Sequence, residues 1–565
     1  MMSSRWPRLL PAGDAALLVE LGSEISQAVN SRVRALDAAV TRAAIPGAVE
    51  SIPAYASLLV EYDPLRLICA ELQTRLAELA NDMADVVPEP MPIKEVPTIY
   101  GGEYGPDLAD VAAIHNLTAE QVIAIHSETI YNVYMLGFSP GFGYMGAVPD
   151  SIATPRLPTP RTRVPAGSVA IAGQQTGIYP QSTPGGWRIL GRTNLKLFDP
   201  QREPACFFQP GDRVRFVPVQ TFEDQTFEVS QTSKVSGAEQ PCIETITPGL
   251  LTTVQDLGRF GCQRFGVPVS GAMDAFSLRA GNSLVGNQAD AASLEITVAG
   301  PTLRFLCDAL VAITGADLCP VLRTPDREPW ATPLWTAIFV RGGSILEFGE
   351  CKAGCRAYVA VAGGIAVPRV MGSASTYLAG GFGGLDGRAI QIGDVLAVGA
   401  TRAHLPSLAG RSLAPEHRPP YRDDPAVRVI LGPQDDYFAA EQIERLLGEE
   451  YAVSATSDRM GLRLQGPALE HKRAHEVISC GIALGAIQVP PNAQPIILMA
   501  DRQTVGGYPV IATVIRGDIP LLAQCVPGHS RVRFEAVSVR DAQAVYRASA
   551  ATWQAEEVEP DVVTF

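Results

Sequence analysis

Residues able to do chemistry crowd into two stretches of this 565-residue chain. The first begins Gly137-Phe-Ser-Pro-Gly-Phe-Gly-Tyr-Met-Gly, continues Pro160-Arg-Thr-Arg-Val-Pro-Ala-Gly-Ser-Val-Ala-Ile-Ala-Gly-Gln-Gln-Thr-Gly and closes Pro184-Gly-Gly-Trp-Arg-Ile-Leu-Gly-Arg-Thr-Asn. Glycine lets backbone N–H groups approach a ligand closely, and Arg161, Arg163, Arg188 and Arg192 offer planar forks for carboxylate or phosphate oxygens. Phe138, Phe142 and Gln175 stand among them as apolar and amide contacts for a small substrate. Taken singly, each glycine or proline reads as turn punctuation. Their joint density with aromatic, Gln and Arg residues points instead to a ligand surface.

The second stretch holds Ser457-Asp-Arg-Met-Gly-Leu-Arg-Leu-Gln-Gly, Gly485-Ala-Ile-Gln-Val-Pro-Pro-Asn-Ala-Gln-Pro-Ile and Asp501-Arg-Gln-Thr-Val-Gly-Gly-Tyr-Pro. Arg459, Arg463, Arg502 and the Gly506–Gly507 backbone can donate to negative charge that develops during a reaction. Asp458 and Asp501 each precede an arginine, so each is either a structural Asp–Arg partner or a general base. Gln503, Thr504 and Tyr508, with Gln488 and Asn492, can orient a small amide without adding charge. Gln255, Asp256 and Arg259 form a similar cluster that either braces a turn or touches substrate. No metal is expected: His471 and His475, like Cys351 and Cys355, are four residues apart but lack further ligands. His126, alone on a helix, reads first as structural.

Positioning these groups takes several domains, because a single core stops growing at roughly 250 to 300 residues. With 47% hydrophobic and 18% charged residues the chain is an ordinary globular one, and its 52 Gly and 45 Pro suit many short strands. The expected fold is α+β and β-rich: a small α/β domain over residues 1–87, then β-rich units over 98–219, 243–405 and 426–545. Helices are expected at Ser26–Val40, about Pro64–Asp82, near Asp107–His115 and near Thr118–Ser127, the last with a Thr118/Gln121 capping box. Four prolines between Val87 and Pro97 argue for a linker there, the polar run Gln220–Pro241 separates two halves, and Pro406–Pro425 divides the second. Pro210-Gly-Asp-Arg-Val-Arg-Phe, Ile392-Gly-Asp-Val-Leu and Pro527-Gly-His-Ser-Arg-Val-Arg-Phe each put a turn before an alternating strand, suggesting related folds.

A net charge of −14 argues against nucleic acid as a partner. Only five of the 45 basic residues are Lys (Lys94, Lys196, Lys234, Lys352, Lys472), which suits anionic substrates but follows equally from coding bias. No apolar run reaches the ~18 residues of a membrane helix, and the first residues lack the apolar core of a signal peptide. The ten scattered cysteines are therefore expected to be reduced, in cytoplasm. There is no Gly-x-x-x-x-Gly-Lys-Ser/Thr loop, and no Lys in a Met-Lys-Met setting where biotin would be attached.

Residues 137–200, with Leu10-Pro-Ala-Gly-Asp-Ala-Ala and Tyr100-Gly-Gly-Glu-Tyr-Gly-Pro-Asp-Leu, resemble allophanate hydrolase subunit 1, equivalently the B-type subunit of 5-oxoprolinase, and related histidine-kinase inhibitors. Thr247-Pro-Gly-Leu-Leu-Thr-Thr-Val-Gln-Asp-Leu-Gly-Arg-Phe-Gly, Gly266-Val-Pro-Val-Ser-Gly-Ala-Met-Asp and the second stretch resemble the C-type subunit of 5-oxoprolinase, in the family of allophanate hydrolase subunit 2, also similar to the carboxyltransferase part of urea carboxylase. The resemblance implies cyclophilin-like β-barrel domains with a site where the halves meet. It also implies ATP-dependent opening of 5-oxo-L-proline to L-glutamate, with ATP and Mg2+ as co-substrate and a separate A-type subunit as partner, and it admits a homo-oligomer. Two other roles carried by relatives are carboxyl transfer with biotin on another chain and restraint of a sensor kinase; fusion of the halves suits a shared active site more than regulation. The chain departs from the pattern at Cys480, where an acidic residue is usual, at Ala493, where Gly is usual, and at Gly143 and Asn194, where Pro is usual. The Ser-Ser-Lys apparatus of true allophanate hydrolases is not recognisable.

Overall fold

Two runs that are apolar on both faces, Ala16–Glu20 and Ser57–Tyr62, place the first sheet between two layers. The computed structural model describes residues 6–82, 91–222, 240–325, 327–401, 405–473 and 476–554. Arg8–Pro11, Ala16–Glu20, Ser57–Tyr62 and Ala48–Pro53 form an antiparallel sheet in that order. Alternation sends Leu17, Val19, Leu58 and Val60 against helices Gln27–Ala43 and Cys69–Asn81. Leu18, Ile52 and Leu59 face the other way, onto Tyr134 and Met135 of a first barrel and Ile482, Leu498 and Val505 of a second. The first helix lies where expected but starts at Gln27, with Ser26 as its cap accepting the Val29 N–H. The second starts at Cys69 rather than near Pro64, because Asp63 holds a turn through its carboxylate and carbonyl.

The first barrel contains Ile93–Tyr100, Tyr131–Leu136, Gly143–Gly146, Ser168–Ala172, Gln175–Ile178, Arg188–Arg192 and Arg213–Pro218. Its opening strand overturns the linker expected up to Pro97; residues 83–90 lie outside the described ones. Pro97 is tolerated because the strand's second neighbour joins only at Ile99 and Tyr100, so no ladder bond needs the missing amide hydrogen. Helices Leu108–Ile114 and Ala119–Glu128 lie where expected, and the Thr118/Gln121 capping box is formed.

A second closed barrel is built from Ala426–Leu431, Tyr451–Val453, Gly461–Gln465, Ala486–Gln488, Ile496–Leu498, Val510–Val514 and Arg531–Ala536. Ordered by position in the chain, the strands of both rings run 1-7-2-3-5-4-6, and in both the first and last strands pair in parallel. The Pro210 and Pro527 turns enter the seventh strand of each ring, with Gly211 and Gly528 at positive φ. The third echo, at Ile392, instead precedes a strand of an open sheet. That sheet has seven strands and, facing a five-stranded one, forms the central lobe around Leu303, Phe305, Val311, Ile313 and Val359. Helix Val539–Gln554 follows the second barrel and returns to the first sheet, where Gln543 donates to the Asp14 carbonyl and the Tyr62 hydroxyl at 3.0 and 2.9 Å.

Candidate functional site

Both barrels project a Thr-x-Gly-Gly-aromatic arm from between their fifth and sixth strands: Thr183-Pro-Gly-Gly-Trp and Thr504-Val-Gly-Gly-Tyr. Each pairs with a strand lying between the third and fourth, Arg161–Val164 or Cys480–Gly481. Sequence reasoning missed this duplication, although both copies are legible in the chain. Beside the first arm, Phe138, Phe142, Tyr144, Tyr179 and Trp187 pack edge-to-face. Phe138 holds φ 63° and stays 36% exposed, so the loop keeps an aromatic edge at the surface. Its flanks admit only glycine: a Cβ at Gly137 would lie 2.0 Å from Val505, and one at Gly266 2.5 Å from the Ser139 carbonyl.

The four arginines of the first stretch are committed elsewhere than expected. Arg161 pairs with Asp107 at 2.6 Å, Arg188 with Asp110 at 3.6 Å, and Arg192 stacks over Tyr104. All three brace the segment that follows Tyr100, although Arg161 keeps a buried Nη1 without a partner. Arg163 is exposed and donates to Ser182 at 3.0 Å, and Gln175 sits half-buried in its barrel strand. His126 is a core residue, between the Tyr100 and Thr176 hydroxyls at 2.7 and 3.1 Å; burial pushes its pKa down to about 3, so it is neutral.

The second barrel's cations reach out of the barrel. Arg459 is buried, donates to Asp501 at 3.0 Å and to the Gly271 carbonyl at 2.6 Å, and pairs with Glu295 of the central lobe. Burial opposes its charge, but Asp501 and Glu295 outweigh that and hold its pKa above the ordinary arginine value. Arg502, also buried, donates to Glu61 of the first sheet at 2.9 Å, to Gln263 at 3.0 Å and to the Ile482 carbonyl at 3.0 Å. Gln263 in turn donates to Glu50 through its backbone and side chain at 3.1 and 2.9 Å. Glu50 and Glu61 are cross-strand partners on one face of the sheet. Burial first, and Glu61 second, push the Glu50 carboxyl up to about 7.

Sequence reasoning missed these two acids. A signal was present: Glu61 interrupts the run Leu58-Leu-Val, every residue of which is buried. Of the Gln255–Asp256–Arg259 cluster, Asp256 braces, accepting from Ser373 and Ser375 and from the Gly258 and Ala374 amides. Arg259 is 1% exposed, donates to the Ser375 carbonyl and stacks on Phe382, yet its Nε and Nη1 find no partner. Asp501 lies within its electrostatic reach.

Other expected residues fall outside this cluster. Asp458 is exposed and caps its own turn, accepting the Met460 and Gly461 amides at 2.9 and 3.2 Å, so it serves as a local brace. Arg463 points to solvent, and Asn492 braces a turn through the Gln494 amide. Gln488 is buried, donates to the Tyr508 carbonyl at 3.3 Å and, with Gln503, crowds the face of Gly506; Gly507 backs onto Ser479. The Thr504 hydroxyl is buried without a partner. Cys480 faces the apolar seam with the first sheet, where burial pushes its thiol up to about 12. Ala493 holds φ 59°, which accounts for glycine being usual there.

His471 meets the Val489 carbonyl at 2.9 Å, while His475 lies outside the described residues. Among the described residues no group of three or more His, Cys, Asp or Glu could hold a metal, and no helix is long and apolar enough to cross a membrane. All ten cysteines are free thiols.

Between the first sheet, the central lobe, the second barrel and the C-terminal helix lies a cavity of about 120 Å³, with Glu61 and Arg502 on one wall. The two halves of the chain meet at this cavity, where Arg502 and Glu61 lie 441 positions apart in the chain.

Comparison with known proteins agrees with this layout. Residues 265–536 match the family model described as carboxyltransferase domain, subdomain A and B, and residues 7–208 the one described as carboxyltransferase domain, subdomain C and D. The chain is 44% identical over 221 residues to the B-type subunit of 5-oxoprolinase from Bacillus subtilis, covering 37% of this chain and 90% of that one. It is 41% identical over 295 residues to the C-type subunit of 5-oxoprolinase from Haemophilus influenzae, covering 52% of this chain and 91% of that one. The crystal structure of TTHA0988 superposes with a TM-score of 0.81 at 35% identity, covering 92% of this chain and 99% of that one.

Proposed function

Because the chain belongs to the carboxyltransferase-domain family that contains the B-type and C-type subunits of 5-oxoprolinase, and joins both kinds in one polypeptide, we propose that it is the B–C component of an ATP-dependent 5-oxoprolinase. With a separate A-type subunit it opens the lactam of 5-oxo-L-proline to L-glutamate. The observation that carries this reading is the shared junction: Arg502 of the C-type half is satisfied by Glu61 of the B-type half, around a cavity that neither half encloses alone.

The groups suit the chemistry. An unstrained amide is a poor electrophile; phosphoryl transfer from ATP with Mg2+ to its oxygen creates a leaving group, and the negative charge that develops needs fixed donors. Arg259 keeps two buried nitrogens uncommitted beside Asp501. Glu50, with its carboxyl near neutrality, can take a proton from water and return it. ATP enters as co-substrate; in the absence of a P-loop sequence its phosphates fall to another kind of site or to the A-type subunit.

The test is glutamate release from 5-oxoproline with ATP and Mg2+, using the chain with and without an A-type subunit. Glutamate formed only with both present supports the reading, and none from a folded mixture overturns it. The match to carboxyltransferase models favours a second reading, carboxyl transfer with biotin on another chain, which a biotin-dependent exchange assay separates from the first.

A further inference from the structure

Besides Glu61 and Arg502, the junction cavity is lined by polar groups that nothing in the chain satisfies. Asp14, in the Leu10-Pro-Ala-Gly-Asp-Ala-Ala motif, is 2% exposed; its Oδ1 accepts the Arg516 N–H at 2.9 Å, but its Oδ2 has no partner. The Ser270 and Thr513 hydroxyls, on residues 4% and 1% exposed, likewise have none. All three residues line the same cavity. Leaving a buried polar atom unpaired costs about 1–3 kcal/mol, and buried polar groups are almost always paired, so three on one small cavity point to a ligand that supplies their partners.

Charge narrows the ligand. The lining carries three guanidiniums, of Arg279, Arg502 and Arg516, against two carboxylates, of Asp14 and Glu61. Arg502 is neutralised by Glu61. Arg516 lies over the Tyr546 ring, 5.7 Å from its centroid, Arg279 interacts with the same tyrosine, and Asp63 acts on both from behind the wall. With Asp63 counted, three guanidiniums face three carboxylates, so the cavity offers two guanidiniums to receive a carboxylate and the unpaired Asp14 oxygen to receive a donor beside it. Size narrows it further: a cavity of about 120 Å³ suits a small molecule rather than a nucleotide or a peptide. The rest of the lining, including Ala12, Ala272, Met273, Phe276 and Leu484, is apolar and suits a short hydrocarbon ring or chain.

We propose that this cavity binds a small carboxylic acid bearing an N–H next to its carboxylate, with the carboxylate toward Arg279 and Arg516 and the N–H toward Oδ2 of Asp14. L-5-Oxoproline has this pattern, its ring amide N–H adjoining the carbon that carries the carboxylate; its choice as ligand rests on the oxoprolinase reading. The Ser270 and Thr513 hydroxyls are then left for the ring carbonyl. The C-terminal helix closes the cavity through Tyr546 and Ser549.

Calorimetric titration of the full-length chain with L-5-oxoproline, L-proline, L-glutamate and acetate tests this. L-5-Oxoproline is expected to bind best, acetate least, with Arg516→Met and Asp14→Asn each weakening it by about tenfold or more. Thr513→Val removes only a hydroxyl without a partner, keeps the fold, and is expected to weaken binding about threefold. Arg161→Met, remote from the cavity, is expected to bind like the parent. Equal binding by all four variants, or no binding of any of the four acids at millimolar concentration, overturns the inference. Glutamate formation beside variant-insensitive binding means that the oxoprolinase reading survives and this cavity is not its site. Arg516-dependent binding without glutamate formation in the presence of the A-type subunit means the reverse.

Discussion

The two barrels share one ring of seven strands and one Thr-x-Gly-Gly-aromatic arm, yet dispose of their charges in opposite ways. In the first, Arg161, Arg188 and Arg192 find Asp107, Asp110 and Tyr104 within the same barrel. In the second, Arg502 leaves the barrel for Glu61 of the first sheet, and Arg459, besides Asp501 of its own barrel, reaches Glu295 of the central lobe. A barrel whose loop cations find their acids internally needs no other domain to neutralise them. One whose cations are satisfied by other domains is completed only by them, because a buried guanidinium without its acid is strongly unfavourable. Duplication of a frame therefore supplied two scaffolds, and the choice of ion partners made one of them the junction.

This contrast can be broken or sharpened by substitution. Arg502→Met is expected to have the largest effect, about 3–5 kcal/mol in urea unfolding, because it leaves Glu61 and Gln263 buried without their partner; a loss under about 1 kcal/mol would erase the distinction between the barrels.

Next comes Glu50, on the junction's other side. Its folded-state pKa of about 7 lies above the ordinary 4.5, so its contribution to stability is full below pH 4.5 and is lost as pH rises to about 7. Allowing for its partial exposure, the loss is about 2 kcal/mol, and Glu50→Gln is expected to flatten that part of the stability–pH profile. Arg161→Met, the internal counterpart, is expected to cost about 1 kcal/mol, since its pair with Asp107 is partly solvated.

The smallest effects concern the equivalent turns between the fourth and fifth strands. The first barrel uses Gly173 at φ 55° and the second Ala493 at φ 59°. Ala493→Gly is expected to stabilise by about 0.5 kcal/mol and Gly173→Ala to destabilise by about 1 kcal/mol, both read as shifts in the urea midpoint.

Much of the scaffold is legible in the residues. The Thr118/Gln121 box and the Gly211 and Gly528 turns are local, and each forms as read. Pro97 misleads because its effect depends on whether a neighbouring strand needs its amide, which no local pattern reveals. Arg459, Arg502 and Asp501 lie at the junction between domains, while Asp458, Arg463 and Asn492, equally polar and in the same motifs, turn to solvent or to their own loops. A strand's alternation fixes which face each residue takes but not what covers that face. Glu61 looks like an interruption in an apolar run until Arg502 is seen against it.

The sequence by itself determined the turns, the helix caps, the strand-rich class and the kinship of both halves to known subunits, because these rest on backbone preferences and on motifs contiguous along the chain. Only the tertiary structure decided which arginines are spent inside a barrel and which complete a site. A charge is satisfied by whatever acid packing brings within about 3 Å of it, and for Arg502 that acid lies 441 residues away.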